Sequence, residues 1–137
     1  GADRIVNVKE QDPVETIMEE TDGRGADIVV EASGVDAGID TAVRATKRDG
    51  QIMMLSFSHH PIPTDFEEMA LNNKSLYTVR GEGWANVGRA VTLLDRGTVD
   101  LGPMVSTTFP LEQIDEGFKT FVERIGGAVK VIIKPNE

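Results

Sequence analysis

Short apolar runs along the chain alternate with stretches in which apolar residues recur every three or four positions. The short runs are typical of strands in a parallel sheet, because both faces of such a strand are buried. They predict strands over residues 5–8, 27–32, 51–57, 75–80, 104–109 and 128–133. Residues 58–64, which include two prolines, are expected to form a loop.

The first helix is expected to begin at Asp12, which can cap it, and Pro13, which fits the first helical turn. The loop of residues 22–25 should end it, because its two glycines interrupt the helical pattern. The apolar positions at helical spacing are Val14, Ile17 and Met18.

A second helix is expected between the turns Ser33-Gly34 and Asp49-Gly50. Residues 66–71 predict one or two helical turns, and residues 85–96 and 111–125 predict longer amphipathic helices. Each of the three longer helices is expected to turn four apolar residues toward the core. They are Ile39, Ala42, Val43 and Ala45 in the second helix, Val87, Ala90, Val91 and Leu94 in the helix of residues 85–96, and Ile114, Phe118, Phe121 and Val122 in the helix of residues 111–125.

Strands that alternate with helices predict an α/β fold with right-handed parallel crossovers. We expect a partial Rossmann-like domain over residues 1–100, with a doubly wound, mostly parallel sheet, and a C-terminal strand-helix-strand segment over residues 101–137. The first four strands correspond to strands three to six of the Rossmann order 3-2-1-4-5-6. Strands one and two, with their G-x-G-x-x-G loop, have no counterpart in this sequence.

This order leaves residues 5–8 without a neighbour, since the third strand pairs only with the second. Residues 5–8 are therefore expected to pair beside residues 27–32, with another chain, or with polypeptide that precedes the sequence given. Of these outcomes, the exposed strand edges favour self-association.

Composition and charge limit the classes of protein and of binding partner that the sequence allows. The chain has 137 residues, 39% of them hydrophobic and 27% charged, which is ordinary for a globular domain with a core. Its net charge of −9 is dispersed and argues against nucleic acid or an anionic membrane as partner. No apolar run approaches the roughly 18 residues of a membrane span, and no signal-peptide pattern opens the chain, so a cytoplasmic location is expected. Without cysteine, the chain forms no disulfide and no thiolate zinc site.

Several stretches carry a family pattern when they are taken together. They are Gly1-Ala2-Asp3 with Ile5-Val6-Asn7, DGRGADIVVEASG at 22–34, RATKRDGQIMML at 44–55, and FPLEQIDEGFKTF with AVKVIIKP from 109 onward. In this order they resemble the C-terminal half of the zinc-dependent, medium-chain alcohol dehydrogenase superfamily, especially its polyol, sorbitol and threonine dehydrogenase branch. The resemblance spans nearly the whole chain.

Nicotinamide cofactors lie across the carboxyl ends of parallel strands, where small residues let the backbone approach the ligand. Three strand ends are candidates here: Ala32-Ser33-Gly34, Leu55-Ser56-Phe57 and Val79-Arg80-Gly81. The resemblance implies that the first flanks the adenosine ribose, the second borders the nicotinamide ribose and the third holds the carboxamide through main-chain groups. The alternative for Ser33-Gly34 is a plain helix N-cap turn.

Other polar residues allow a functional and a structural interpretation. The resemblance places Lys130 against the cofactor diphosphate, and the alternative is a solvent-facing lysine. Arg80 and Glu82 depart from many relatives, and they either face a polar substrate or, as we favour, pair at the surface. His59 and His60 are interpreted as a plain loop pair rather than a metal site, because adjacent side chains point apart and no third ligand follows.

Glu31 ends a strand that is otherwise apolar. We expect it to have a structural role, reaching either solvent or a backbone amide. Trp84 either contributes to a substrate pocket or anchors the following helix as a partly buried aromatic residue.

The resemblance implies a parent enzyme that oxidises a secondary alcohol or polyol by hydride transfer to NAD, with NADP left open. Zinc would polarise the alcohol oxygen, but its ligands and the other catalytic residues lie outside this chain. We therefore expect the chain alone to be inactive and to bind cofactor weakly. A homo-oligomer is expected, through the helix of residues 85–96 and the strand before it. The alternatives are a zinc-free quinone or enone reductase of the same superfamily and a non-catalytic nucleotide-binding or assembly module.

Overall fold

The computed structural model describes residues 2–58, 60–79, 81 and 83–136. The chain divides into two compact units, Gly1–Arg80 and Gly81–Glu137. The first unit contains α1 (Pro13–Glu20), β1 (Ala26–Glu31), α2 (Asp36–Ala45), β2 (Thr46–Met54), α3 (Phe66–Leu71) and β3 (Ser75–Thr78). The second contains α4 (Trp84–Asp95), β4 (Val105–Pro110), α5 (Ile114–Val122) and β5 (Lys130–Lys134), with 3-10 turns at Gly102–Met104, Leu111–Gln113 and Ile125–Gly127. No helix in the described part of the chain is long and apolar enough to cross a membrane.

The first unit is built on a parallel sheet in the order β1-β2-β3. Its register places Glu31 opposite Met54, and Met54 opposite Thr78. The last residues of the three strands therefore lie side by side. This order confirms the prediction that these strands follow one another across the sheet, as strands four to six of a Rossmann sheet do.

The predicted start of the first helix is confirmed. Asp12 occupies the N-cap and its Oδ1 accepts the backbone N–H of Val14 at 2.7 Å, while Pro13 occupies the first turn. Val14 is buried, and α1 contacts α2. A side-chain acceptor at the N-cap satisfies a donor that the helix itself leaves unpaired, which explains why the helix begins here.

The core of the first unit lies between α2, α3 and the sheet. The predicted inner face of α2 is confirmed, because Ile39, Ala42, Val43 and Ala45 are all buried. Ala42 and Val43 form a buried cluster with Ile52 of β2 and Met69 of α3. This apolar cluster anchors the sheet whose strand ends form the candidate site.

The strand predicted at residues 5–8 is wrong. Ile5 and Val8 are 83% and 72% exposed, and β1 pairs only with β2 among the described residues. The backbone N–H groups of Glu10 and Gln11 instead donate to the carbonyl of Asn7, at 2.9 and 3.0 Å. A local turn, and not a neighbouring strand, therefore satisfies the Asn7 carbonyl inside the predicted strand. Of the three pairings considered for residues 5–8, the one beside β1 is not formed in the described part of the chain.

The second helix ends earlier than predicted, at Ala45, and Thr46 already belongs to β2. The turn expected at Asp49-Gly50 exists, but as an irregularity inside β2, where Asp49 has a φ of 60°. The register of β1 and β2 shifts at this point, from Ala26 opposite Thr46 to Ile28 opposite Gln51. The turn residues therefore form a bulge-like break in a strand instead of a helix end.

The second unit confirms the predicted strand-helix-strand order, with β4 and β5 parallel and α5 between them in sequence. The predicted inner faces of its helices are wrong. Phe118 and Val122 of α5 are 64% and 73% exposed, whereas Gly117 and Thr120 are the buried residues. In α4 no residue is buried. An apolar stripe becomes buried only where another apolar surface covers it, which periodicity alone does not establish.

Candidate functional site

The carboxyl ends of β1, β2 and β3 meet at one edge of the sheet. The backbone N–H of Leu55 donates to the carbonyl of Glu31 at 2.8 Å, and that of Val79 donates to the carbonyl of Met54 at 3.2 Å. Both bonds extend the ladders one residue past the ends of β2 and β3. The segments that follow the three strands thus start next to one another, at the edge where open α/β sheets bind ligands.

The Ser33-Gly34 turn closely approaches the segment after β2. Gly34 has a φ of +71°, and a Cβ at this position would lie 3.2 Å from the carbonyl oxygen of Phe57. A residue with a side chain would be strained by the backbone conformation and crowded by this carbonyl. Glycine therefore lets the segments after β1 and β2 lie against each other.

Glu31 joins these two segments through its side chain, which is buried. Its Oε1 accepts the backbone N–H groups of Ser33, at 2.8 Å, and Gly34, at 3.2 Å, and the Ser33 hydroxyl. Its Oε2 accepts the hydroxyl of Ser56, from the segment after β2. The structural role expected for Glu31 is confirmed in its backbone-amide form, and the alternative of reaching solvent is wrong.

Opposing effects act on the Glu31 carboxyl. Burial raises its pKa, because it disfavours the charged form, but the hydrogen bonds donated by the Ser33 and Ser56 hydroxyls and by two backbone amides lower it. The hydrogen bonds prevail, and the pKa lies below the usual value for glutamate. Glu31 is therefore a carboxylate at neutral pH and acts as an acceptor for all four donors.

The structure does not support the N-cap alternative for Ser33-Gly34. Helix α2 begins at Asp36 with Val35 as its N-cap, and no side chain caps it. The hydroxyl of Ser33 donates to Glu31 and accepts the N–H of Val35 at 3.4 Å. Its main partner is thus the carboxylate at the strand end.

The third strand end and the loop histidines lie partly outside the described residues, which do not include His59, Arg80 or Glu82. Gly81 is described and has open space where a side chain would extend. The exposed ring of His60 has its Nδ1 3.2 Å from the carbonyl of Pro61 and its Nε2 3.8 Å from the Asp36 carboxylate. In the described ranges, no group of three or more His, Cys, Asp or Glu residues could hold a metal ion.

Lys130 and Trp84 belong to the second unit. Lys130 is the first residue of β5, is exposed and borders a pocket of about 240 Å³ together with Phe118 and Phe121 of α5. Trp84 is 92% exposed at the start of α4, so the alternative of a partly buried anchor is wrong.

Sequence reasoning missed the connection between Glu31 and Ser56. The strand register contains the signal, because Glu31 lies opposite Met54 and Ser56 follows Met54 by two positions. Side chains two residues apart along an extended chain project to the same face, so a correct register brings Ser56 beside Glu31. The predicted strands gave neither the register nor its irregularity.

Comparisons with known proteins agree with this architecture. Residues 1–96 match the family model described as zinc-binding dehydrogenase. The chain is 29% identical to L-threonine 3-dehydrogenase from Bacillus licheniformis, over 98% of this chain and 39% of that protein. It is 28% identical to sorbitol dehydrogenase from Bacillus subtilis, over 99% of this chain and 38% of that protein.

Among solved structures, the zinc-dependent alcohol dehydrogenase 2 from Streptococcus pneumonia matches with a TM-score of 0.89 and 23% identity. The match covers 100% of this chain and 40% of that one, and it shows the shared fold. The chain thus spans about two fifths of the length of the proteins that it resembles. The family resemblance stated from the sequence is confirmed.

Proposed function

The chain belongs to the zinc-binding dehydrogenase family, and on that premise we propose that it is the cofactor-binding portion of an NAD(P)-dependent alcohol or polyol dehydrogenase. The observation that carries the proposal is the alignment of three parallel strand ends at one edge, with Gly34 in close approach to the segment after β2. Such an edge lets backbone groups reach an extended dinucleotide.

Each strand end has a distinct proposed role. The Ala32-Ser33-Gly34 turn flanks the adenosine ribose, and Leu55-Ser56-Phe57 borders the nicotinamide ribose. Val79-Arg80-Gly81 holds the carboxamide through main-chain groups, and Lys130 neutralises diphosphate charge. The bound cofactor accepts the hydride, and these residues orient it.

The fit to the cofactor rests on small and main-chain groups at the strand ends. Gly34 leaves out a Cβ that would fill the space beside the Phe57 carbonyl. The Ser33 and Ser56 side chains are held by Glu31, which fixes the path of both segments. NAD is the cofactor that we propose, with NADP as the alternative outcome of the binding test.

These residues do not fit a zinc ion, because the described part of the chain brings no three ligating side chains together and the sequence contains no cysteine. The described residues therefore supply no ligand set for zinc. The zinc and the groups that deprotonate the alcohol are proposed to belong to other parts of the parent polypeptide.

The substrate class that we propose is a secondary alcohol or polyol. Relatives are named for L-threonine, sorbitol and (R,R)-butanediol. The test is to purify the native polypeptide, measure its intact mass against the 14.9 kDa of these residues, and assay these three alcohols with NAD and with NADP. We expect a larger mass and alcohol-dependent cofactor reduction that a zinc chelator abolishes.

Two results would favour one of the alternative functions instead. Reduction of a quinone or enone that persists after chelation would identify a zinc-free reductase. Cofactor binding without turnover of any substrate would identify a non-catalytic nucleotide-binding module. Failure to bind either nicotinamide cofactor would contradict the proposal itself.

We also propose that the native protein is a homo-oligomer assembled through α4. In this helix Val87, Val91 and Leu94 are 52%, 48% and 43% exposed, an apolar stripe that a second copy would cover. Light scattering with Val91→Glu is the test. We expect the substitution to dissociate the oligomer, and a monomeric unsubstituted protein would contradict the proposal.

A further inference from the structure

The Glu31 carboxylate connects residues that the sequence separates widely. Ser33 and Gly34 follow β1, whereas Ser56 follows β2 and lies 25 positions beyond Glu31. One carboxylate oxygen accepts from the turn after β1, and the other accepts from the segment after β2. The side chain therefore fixes the separation of these two segments.

Helix α2 approaches the Glu31 side chain closely at Gly38. Gly38 of α2 faces it, and a Cβ there would lie 2.7 Å from Oε1 and would also collide with the Ser33 hydroxyl. No buried side-chain nitrogen or oxygen in the described residues lacks a hydrogen-bond partner. The carboxylate is buried and accepts hydrogen bonds from four donors.

The chemistry of the four donors calls for an ionised carboxylate. Two hydroxyls and two backbone N–H groups all need acceptors, and a carboxylate offers two oxygens with about four acceptor sites. Hydrogen bonds to a charged acceptor are also stronger than those between neutral groups. An aliphatic side chain would leave all four donors without their acceptor.

We propose that Glu31 is a positioning residue for the nicotinamide cofactor, which sets the distance between the Ser33-Gly34 turn and Ser56. This inference rests on the proposed function, in which those segments border the two riboses of the cofactor. An extended ligand that bridges both segments is sensitive to their separation, because small displacements of binding groups weaken oriented binding. Glu31 itself acts through its neighbours and makes no contact with the cofactor.

The test compares four variants of the native polypeptide: Glu31→Ala, Glu31→Gln, Ser56→Ala and Ser58→Ala. Ser58 is the matched control, because its hydroxyl donates to the carbonyl of His60 at 2.6 Å in the same segment and does not bond to Glu31. For each variant, fluorescence titration with NADH gives the dissociation constant, steady-state kinetics give the KM of the cofactor and of the alcohol, and calorimetry gives the Tm.

We expect Glu31→Ala and Ser56→Ala to raise the NADH dissociation constant about tenfold, because misplaced binding groups weaken oriented binding steeply. The alcohol KM should change much less. Glu31→Gln should keep most of the affinity, because its amide oxygen accepts as Oε1 does and its nitrogen can donate to Ser56. Ser58→Ala should bind NADH as the unsubstituted protein does.

The outcomes distinguish a failure of the proposed function from a failure of the positioning role of Glu31. An unsubstituted protein that binds neither NADH nor NADPH would overturn the proposed function and this inference with it. Normal binding by the unsubstituted protein, together with a lower Tm but unchanged NADH affinity in Ser56→Ala and Glu31→Ala, would overturn the positioning role alone. If Glu31→Ala does not fold, Ser56→Ala decides, because it removes a single hydroxyl.

Discussion

Lys74 and Glu68 form an ion pair of 2.7 Å in which the lysine side chain is 3% exposed. The Nζ of Lys74 also donates to the carbonyl of Val43 at 2.8 Å. That carbonyl lies in the last turn of α2, where the helix provides no partner of its own. A single buried ammonium thus connects α2 to α3 beside the core cluster.

The substitution Lys74→Met should lower the free energy of unfolding by about 1–3 kcal/mol, because the buried Val43 carbonyl loses its donor. The matched control is Arg44→Met, which breaks the exposed pair of Arg44 with Asp40 at 3.5 Å. The control should cost no more than about 0.5 kcal/mol. Urea unfolding of the native protein measures both, and equal losses would contradict the buried role of Lys74.

Glu31 should make stability depend on pH. Its pKa in the folded chain is lowered from the ordinary 4.5, since its hydrogen bonds outweigh the effect of burial. A lowered folded pKa contributes stability that is present above the unfolded pKa and is lost as pH falls through the folded one. Unfolding midpoints in urea should therefore decrease on acidification below pH 4.5.

The variant Glu31→Gln isolates this contribution, because its amide does not titrate in this range. It should be less stable than the unsubstituted protein at neutral pH, and the difference should shrink as the pH falls. A constant difference at every pH would mean that the ionisation of Glu31 contributes nothing to the stability of the fold.

Gly34→Ala should destabilise the protein by about 1–2 kcal/mol through its left-handed backbone alone. The added Cβ would also press on the Phe57 carbonyl, so NADH affinity should fall as well. Gly23→Ala is the control, because Gly23 has a similar φ of +76° but nothing within 4 Å of its Cβ position. Thermal unfolding and NADH titration measure both effects in both variants. Equal losses of stability and of NADH affinity in Gly34→Ala and Gly23→Ala would show that the contact between Gly34 and the Phe57 carbonyl has no effect.

The parts of the fold that depend on local sequence were predictable. Asp12 and Pro13 fix a helix start by capping and by backbone geometry, and the buried face of α2 follows from periodicity. The strand prediction for residues 5–8 failed because a strand forms only where a partner strand pairs with it, whatever its own sequence pattern. The prediction of the buried face of α5 failed for a related reason. The apolar stripe that includes Phe118 stays exposed because no other surface covers it.

Some features of the candidate site are likewise predictable from local sequence, and others depend on tertiary structure. Strand ends are predictable from the sequence, so Ser33 and Ser56 are predictable as candidate site residues although their contacts are not. The bond between Glu31 and Ser56 depends on the register of β1 and β2, which shifts between Ala26 and Ile28. A register of this kind comes from tertiary pairing, and sequence pattern alone does not determine it.

A crystal structure of the native protein with NADH bound would locate the cofactor directly. We expect the cofactor to cross the carboxyl edge of β1, β2 and β3, with its nicotinamide ribose beside Ser56 and Phe57 and its carboxamide at the Val79 backbone. NADH bound away from these strand ends would overturn the proposed cofactor site.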